Sequence, residues 1–175
     1  MLTSLALALA GASLLAPSTP TTDPWGWLVW GREILHLDLS TTVFGAPSWK
    51  PLPVLATVPL GLTGSAAPTL WLLLERAASL LSLVMGYRLG SRLGGRRAGA
   101  LAALGLLLSG GWTLAVAQGY TEALTAGLLF LAIDREIEGH STQALALGTL
   151  IALARPEAFV FLCLFAVIAA RRQRV

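Results

Sequence analysis

The 175-residue chain is 55% hydrophobic and only 12% charged, with a mean hydropathy of +0.74; that is about half the charged share of an ordinary globular domain. Its net charge of +3 does not imply a nucleic-acid partner. Most arginines stand in short clusters between apolar runs, where the cytoplasmic bias of positive charge accounts for them. The pattern of long apolar runs predicts an all-α, polytopic transmembrane helix bundle forming a single membrane domain.

In chain order, the first apolar run, residues 2–16, falls short of the roughly 20 residues of a bilayer crossing and lacks the basic flank of a signal peptide. A short membrane helix is preferred to a cleaved leader, and either choice places residues 18–50 outside the cell. Within them, "DPWGWLVWGREILHLDL" repeats Trp27, Trp30, Ile34, Leu35 and Leu37 at helical spacing, with Arg32, Glu33 and His36 at other angles. This predicts an amphipathic interfacial helix in the first exoplasmic loop. Trp25, Trp27, Trp30 and Trp49 fit an aromatic belt at headgroup depth.

Residues 51–62 carry Pro51, Pro53 and Pro59, too broken for a straight span, and predict a short interfacial helix. Membrane helices are expected over 68–89, 98–117, 119–133, 142–154 and 158–170, with a weak point at Ser109-Gly110-Gly111. Alternating crossings put Arg88, Arg92, Arg96, Arg97, Arg135, Arg171, Arg172 and Arg174 inside, against Arg32, Lys50 and Arg155 outside. This asymmetry supports the orientation independently of the opening loop. The Ala, Leu, Gly and Arg bias suits a bacterial source, hence a multi-pass protein of the bacterial plasma membrane.

On this topology Asp23, Arg32, Lys50, Glu122, Arg155 and Glu157 all return to the exoplasmic rim. Asp23 before Pro24 is either a helix-starting cap or a functional carboxylate. Lys50, between Trp49 and Pro51, stands where the loop returns to the bilayer and suits contact with a lipid phosphate, with snorkelling as the plainer alternative. Glu122 and Glu157 favour the first turns of their helices, and Arg155 reaches water or phosphate. Glu75 and Arg76 lie well inside a span, where ionised side chains are costly; they are expected to face the bundle, chiefly as an interhelical tie. His36 and His140 fall on opposite faces, and the lone Cys163 reads as a buried small hydrophobe. No metal-ligand cluster or nucleotide fingerprint is present, so neither metal nor cofactor is expected.

The layout resembles the polytopic C-type glycosyltransferases, which use polyprenyl- or dolichyl-phosphate sugars. The resemblance rests on Asp23 in "DPWGW", the "WGREILH" helix, "PSWKPLP", "GYTEAL" and "ARPE". It implies transfer of a sugar from a polyprenyl-phosphate carrier in the membrane lipid to an exoplasmic acceptor. Asp23 is then the general base or the group that orients the acceptor, Lys50 the phosphate ligand, and Arg155 a further one; Glu122, Glu157 and Arg32 complete the substrate-binding set. Members of that family carry roughly twice as many spans, so the resemblance implies an N-terminal part or a short relative. The alternative from another class is a non-catalytic integral membrane subunit or scaffold, in which Asp23 and Glu122 serve only as helix caps.

Overall fold

The computed structural model describes residues 2–41 and 47–172; residues 42–46 of the outer loop, and Arg174 from the cytoplasmic set, lie outside the described residues. Those described are all-helical: α1 (Leu2–Ser13), α2 (Thr22–Leu35), α3 (Pro51–Thr57), a 3-10 segment (Pro59–Ala66), α4 (Ala67–Leu108), α5 (Gly110–Gln118), α6 (Glu122–Ile137), α7 (Ser141–Ala154), a 3-10 turn (Pro156–Ala158) and α8 (Phe159–Arg172). Among the described residues, one helical stretch, Pro59–Leu108, is long and apolar enough to cross a membrane. Taking α5 and α6, bent by 114° at their junction, as one broken span makes two. The expected six separate spans are therefore not all of crossing length. At 14 residues each, α7 and α8 reach only about 21 Å, against roughly 30 Å of hydrocarbon.

The expected segments 68–89 and 98–117 are joined in α4, which is a helical hairpin. Its backbone leaves helical geometry at Gly94 and at Gly95, whose φ of 78° and ψ of 177° are open to glycine and strained for other residues. The arms then lie side by side, so that a Cβ on Gly90 would stand 3.0 Å from Ala98 O. The second arm breaks at Ser109, as the Ser-Gly-Gly sequence suggested, and continues as α5. Helix α6 runs past the expected end at residue 133, to Ile137.

Most informative is the face that α4 buries. Trp71, Glu75, Ser79, Ser82 and Gly86 are all buried, and their spacing of four, four, three and four puts them on one helical stripe. That stripe meets α6. Trp71 Nε1 donates to Gly119 O at 2.8 Å, Ser82 Oγ donates to Ala123 O at 2.6 Å, and Gly86 lies against Phe130. Positions thus rise together in the two helices, so the first arm of α4 and α6 run parallel. The outside of the bundle is apolar: Leu101 is 71% exposed, Leu108 78% and Phe161 72%. Cys163, expected to be buried, shares this outer face. Polar and small residues inside with large apolar ones outside is the arrangement of helices that pack in lipid.

Helix α2 folds onto one end of this bundle. Trp27, Leu28 and Trp30 of α2 form a core with Val54 of α3 and Ala67 and Trp71 of α4, with Tyr120 packed against it. Trp27 and Trp71 meet edge to face, centroids 6.1 Å apart. The aromatic-belt reading is thereby corrected for Trp27 and Trp30, which are 0% and 4% exposed, because tertiary contacts claim the same apolar face that a bilayer surface would. Leu37 also departs from the expected helix: it lies past its end at φ 56° and is 95% exposed.

The α2–α3 crossing is close enough to require glycine at position 31. A Cβ there would stand 2.7 Å from the carbonyl carbon of Thr57, whose hydroxyl donates to Trp27 O at 2.7 Å. We expect Gly31→Ala to cost about 1–3 kcal/mol, measured by thermal unfolding in detergent. An unchanged melting temperature would show that the two helices separate without penalty.

Candidate functional site

Lys50 is the residue before α3, with Pro51 opening the helix. This is the helix end at which a cation is least favoured. It is nevertheless only 8% exposed, with its ammonium 5.0 Å from the centre of the Trp27 ring. Trp27 Nε1 donates to Ser48 O at 3.2 Å, which ties the chain leading into Lys50 to α2. Among the described residues no carboxylate lies within ion-pair distance of Lys50. Burial first, then the nearby Arg155 guanidinium, hold its ammonium below the ordinary lysine range, while Glu122, Asp23 and Glu157 pull the other way.

These influences show which expected site residues the fold brings together. Asp23, Lys50, Glu122, Arg155 and Glu157 come from four separate parts of the chain and gather at one corner. Arg155, at the end of α7, donates to Glu122 Oε1 at the start of α6 and lies 3.6 Å from Glu157 Oε1. The N-terminus of α2 is fixed there by Thr21 N, which donates to Gln118 O at 3.1 Å. Arg32 does not join. It occupies the last turn of α2, nine residues and so about 13 Å along the axis from Asp23, and it is absent from the charges acting on Lys50.

Asp23 is not the cap that the Asp-Pro sequence suggested. The residue preceding α2 is Thr21, and Asp23 lies in the first turn without a capping hydrogen bond. Its carboxylate is half-buried and makes no ion pair within 4 Å among the described residues.

Glu75 and Arg76 both point inward, 2% and 8% exposed. Arg76 ties α4 to the end of α1, donating to Ser13 Oγ at 3.0 Å and to Ser18 Oγ. Among the described residues Glu75 makes no comparable tie, and its Oε2 has no hydrogen-bond partner.

A second polar cluster, read from sequence only as topology, occupies the opposite end. Asp134, fully buried, pairs with Arg92 at 2.8 Å, Arg88 at 3.0 Å and Arg135 at 3.1 Å. Glu138 joins Arg88 and Arg92, each at 2.9 Å. The Arg92 hydrogen bond is the main reason that the Glu138 carboxyl lies below its usual range. The signal was legible: Arg88/Arg92 and Asp134/Glu138 are complementary i, i+4 pairs on two helices. No metal-binding group of three or more His, Cys, Asp or Glu exists among the described residues. No protein-family model, curated protein or solved structure matches this chain.

Proposed function

We propose that the chain is a multi-pass membrane protein of glycosyltransferase type. It takes a sugar-bearing polyprenyl phosphate at its exoplasmic face and passes the sugar to an exoplasmic acceptor. The observation that carries this reading is Lys50: a nearly buried cation, without a close carboxylate, beside a second cation, Arg155, at one end of a bundle whose outside is apolar. A site of that kind suits the anionic headgroup of a lipid whose tail remains in the bilayer.

In this reading α1, the two arms of α4 (the second continued by α5), α6, α7 and α8 cross in alternation. The short α7 and α8 are accommodated by local thinning of the bilayer. Asp23 takes the proton of the acceptor hydroxyl as its oxygen bonds to the anomeric carbon. The bond from that carbon to the carrier phosphate breaks, and the phosphate departs with the electron pair, its charge stabilised by Lys50 and Arg155. Glu122 and Glu157 hold the Arg155 guanidinium in place.

The test is binding of undecaprenyl phosphate to the protein in nanodiscs, read by native mass spectrometry. Lys50→Gln is expected to weaken binding about tenfold. Because the Lys50 pKa is lowered, its charge is lost on alkalinisation before that of an ordinary lysine. Affinity should therefore fall as pH rises through this lowered value. Lys50→Arg, which keeps its charge, should abolish that fall. Equal affinity for wild type and Lys50→Gln at neutral pH sinks the assignment.

A further inference from the structure

The stripe that α4 turns toward α6 contains four polar side chains, three of which are satisfied. Trp71 donates to Gly119 O, Ser82 donates to Ala123 O, and Ser79 Oγ accepts from Trp112 Nε1 at 3.2 Å. Glu75 is the exception. It lies between the Trp71–Gly119 and Ser82–Ala123 contacts, on the face that α4 presents to the turn that opens α6, and it is within reach of the charge of Glu122.

In that same turn Thr121 is 0% exposed. Its Oγ1 is buried without a hydrogen-bond partner, and so is Glu122 Oε2. The orphan N–H groups at the start of α6 do not satisfy Glu75 Oε2 either. Two carboxylate oxygens and one hydroxyl, which accepts as well as donates, are therefore buried without a hydrogen-bond partner on facing parts of α4 and the start of α6, a state that costs free energy unless a ligand supplies the partners.

Glu122 links this pocket to the cationic corner. One of its oxygens accepts from Arg155, and the other is the buried, unpartnered one. A ligand whose phosphate sits on Lys50 and Arg155 would place the next group along, one rich in hydrogen-bond donors, against Glu122, Thr121 and Glu75.

We propose that Glu75, Thr121 and the inward oxygen of Glu122 form a buried acceptor pocket for the hydroxyl groups of the carrier-linked sugar. This assignment rests on the lipid-linked-sugar reading above. It makes Glu75 a sugar-selecting residue rather than an interhelical tie. A site built to accept hydrogen bonds discriminates against ligands that lack the donors, because its own buried oxygens are then left unpaired.

The test compares undecaprenyl phosphate with undecaprenyl-phosphate mannose as ligands in nanodiscs, for wild type, Glu75→Leu and Thr121→Val. Wild type should prefer the sugar-bearing lipid. Each variant should lose about tenfold in affinity for it, while binding bare undecaprenyl phosphate within about twofold of wild type. Glu75→Leu should also match or exceed the wild-type melting temperature, since an unpartnered buried acceptor is replaced by an apolar group. A purely structural Glu75 would lower it.

Equal losses on both lipids, or no loss on the sugar-bearing one, overturn the pocket. Thr121→Val, nearly isosteric, decides the matter should Glu75→Leu fail to fold. Lys50-dependent binding of the bare lipid without any sugar preference overturns the pocket alone. Binding of neither lipid by wild type overturns the functional reading and the pocket with it.

Discussion

Replacing Asp134 with alanine is expected to destabilise the protein by about 2–3 kcal/mol, the largest single loss of stability that the fold predicts. Removing one partner of a fully buried pair costs about 3–5 kcal/mol, but exposed partners are screened and recover hydration. Asp134 is 0% exposed, whereas Arg88, Arg92 and Arg135 are 48%, 34% and 24% exposed, so the lower figure applies. Asp134→Asn should fall between, since it retains acceptor capacity while losing the charge. Thermal or denaturant unfolding in detergent measures both. A loss below about 0.5 kcal/mol, the range of ordinary surface substitutions, would return these arginines to a topological role alone.

The cluster also bears on the distant corner. The first arm of α4 runs parallel to α6, and Arg88 and Arg92 on Asp134 fix the register of the two helices at their far end. The same register sets Glu75 level with the turn that opens α6. An α6 that slid on α4 would move Glu75 out of line with its turn, so weakening the Asp134 cluster should loosen the outer site without touching it.

Local patterns in the sequence foretold the elements better than their partners. The spacing of Trp27, Trp30 and Ile34 predicts α2, Ser109-Gly110-Gly111 predicts the break before α5, and the expense of a charge within a span predicts that Glu75 and Arg76 face inward. What the apolar face of α2 packs against is not contained in its periodicity. A bilayer surface and the cap formed by Val54, Ala67 and Trp71 ask for the same residues, and the fold chose the cap.

The candidate site was legible as a set of residues that the expected alternating crossings return to one rim. Arg32 was misplaced for a geometric reason. A helix lying along the surface carries its far end away from a corner that its near end touches. Thr121 gave no signal, since a threonine at a helix start is ordinary; only the burial of its unpartnered hydroxyl distinguishes it.

Asp23→Asn should lower sugar transfer by about a hundred- to ten-thousandfold, the usual contribution of a positioned general base, while leaving the fold nearly intact. The two effects are separable because of where the helix begins. Thr21, not Asp23, precedes α2, and Asp23 makes no capping hydrogen bond, so its structural share is limited to the helix dipole, about 0.3–1 kcal/mol. Asparagine matches its shape and removes its basicity.

The assay follows labelled mannose from undecaprenyl-phosphate mannose into membrane acceptors, using membranes that carry wild type or variant, with melting temperature as the control for folding. The position of Asp23 favours the catalytic outcome. Its carboxylate is half-buried beside Lys50, at the corner where a carrier phosphate would lie, and no ion pair within 4 Å among the described residues engages it. Equal transfer by Asp23→Asn would reduce the residue to a favourable charge at a helix start and remove the base from the mechanism. Transfer by wild type no greater than by membranes lacking the protein would put the non-catalytic subunit in its place, with the Lys50–Arg155 corner holding a lipid phosphate without acting on it.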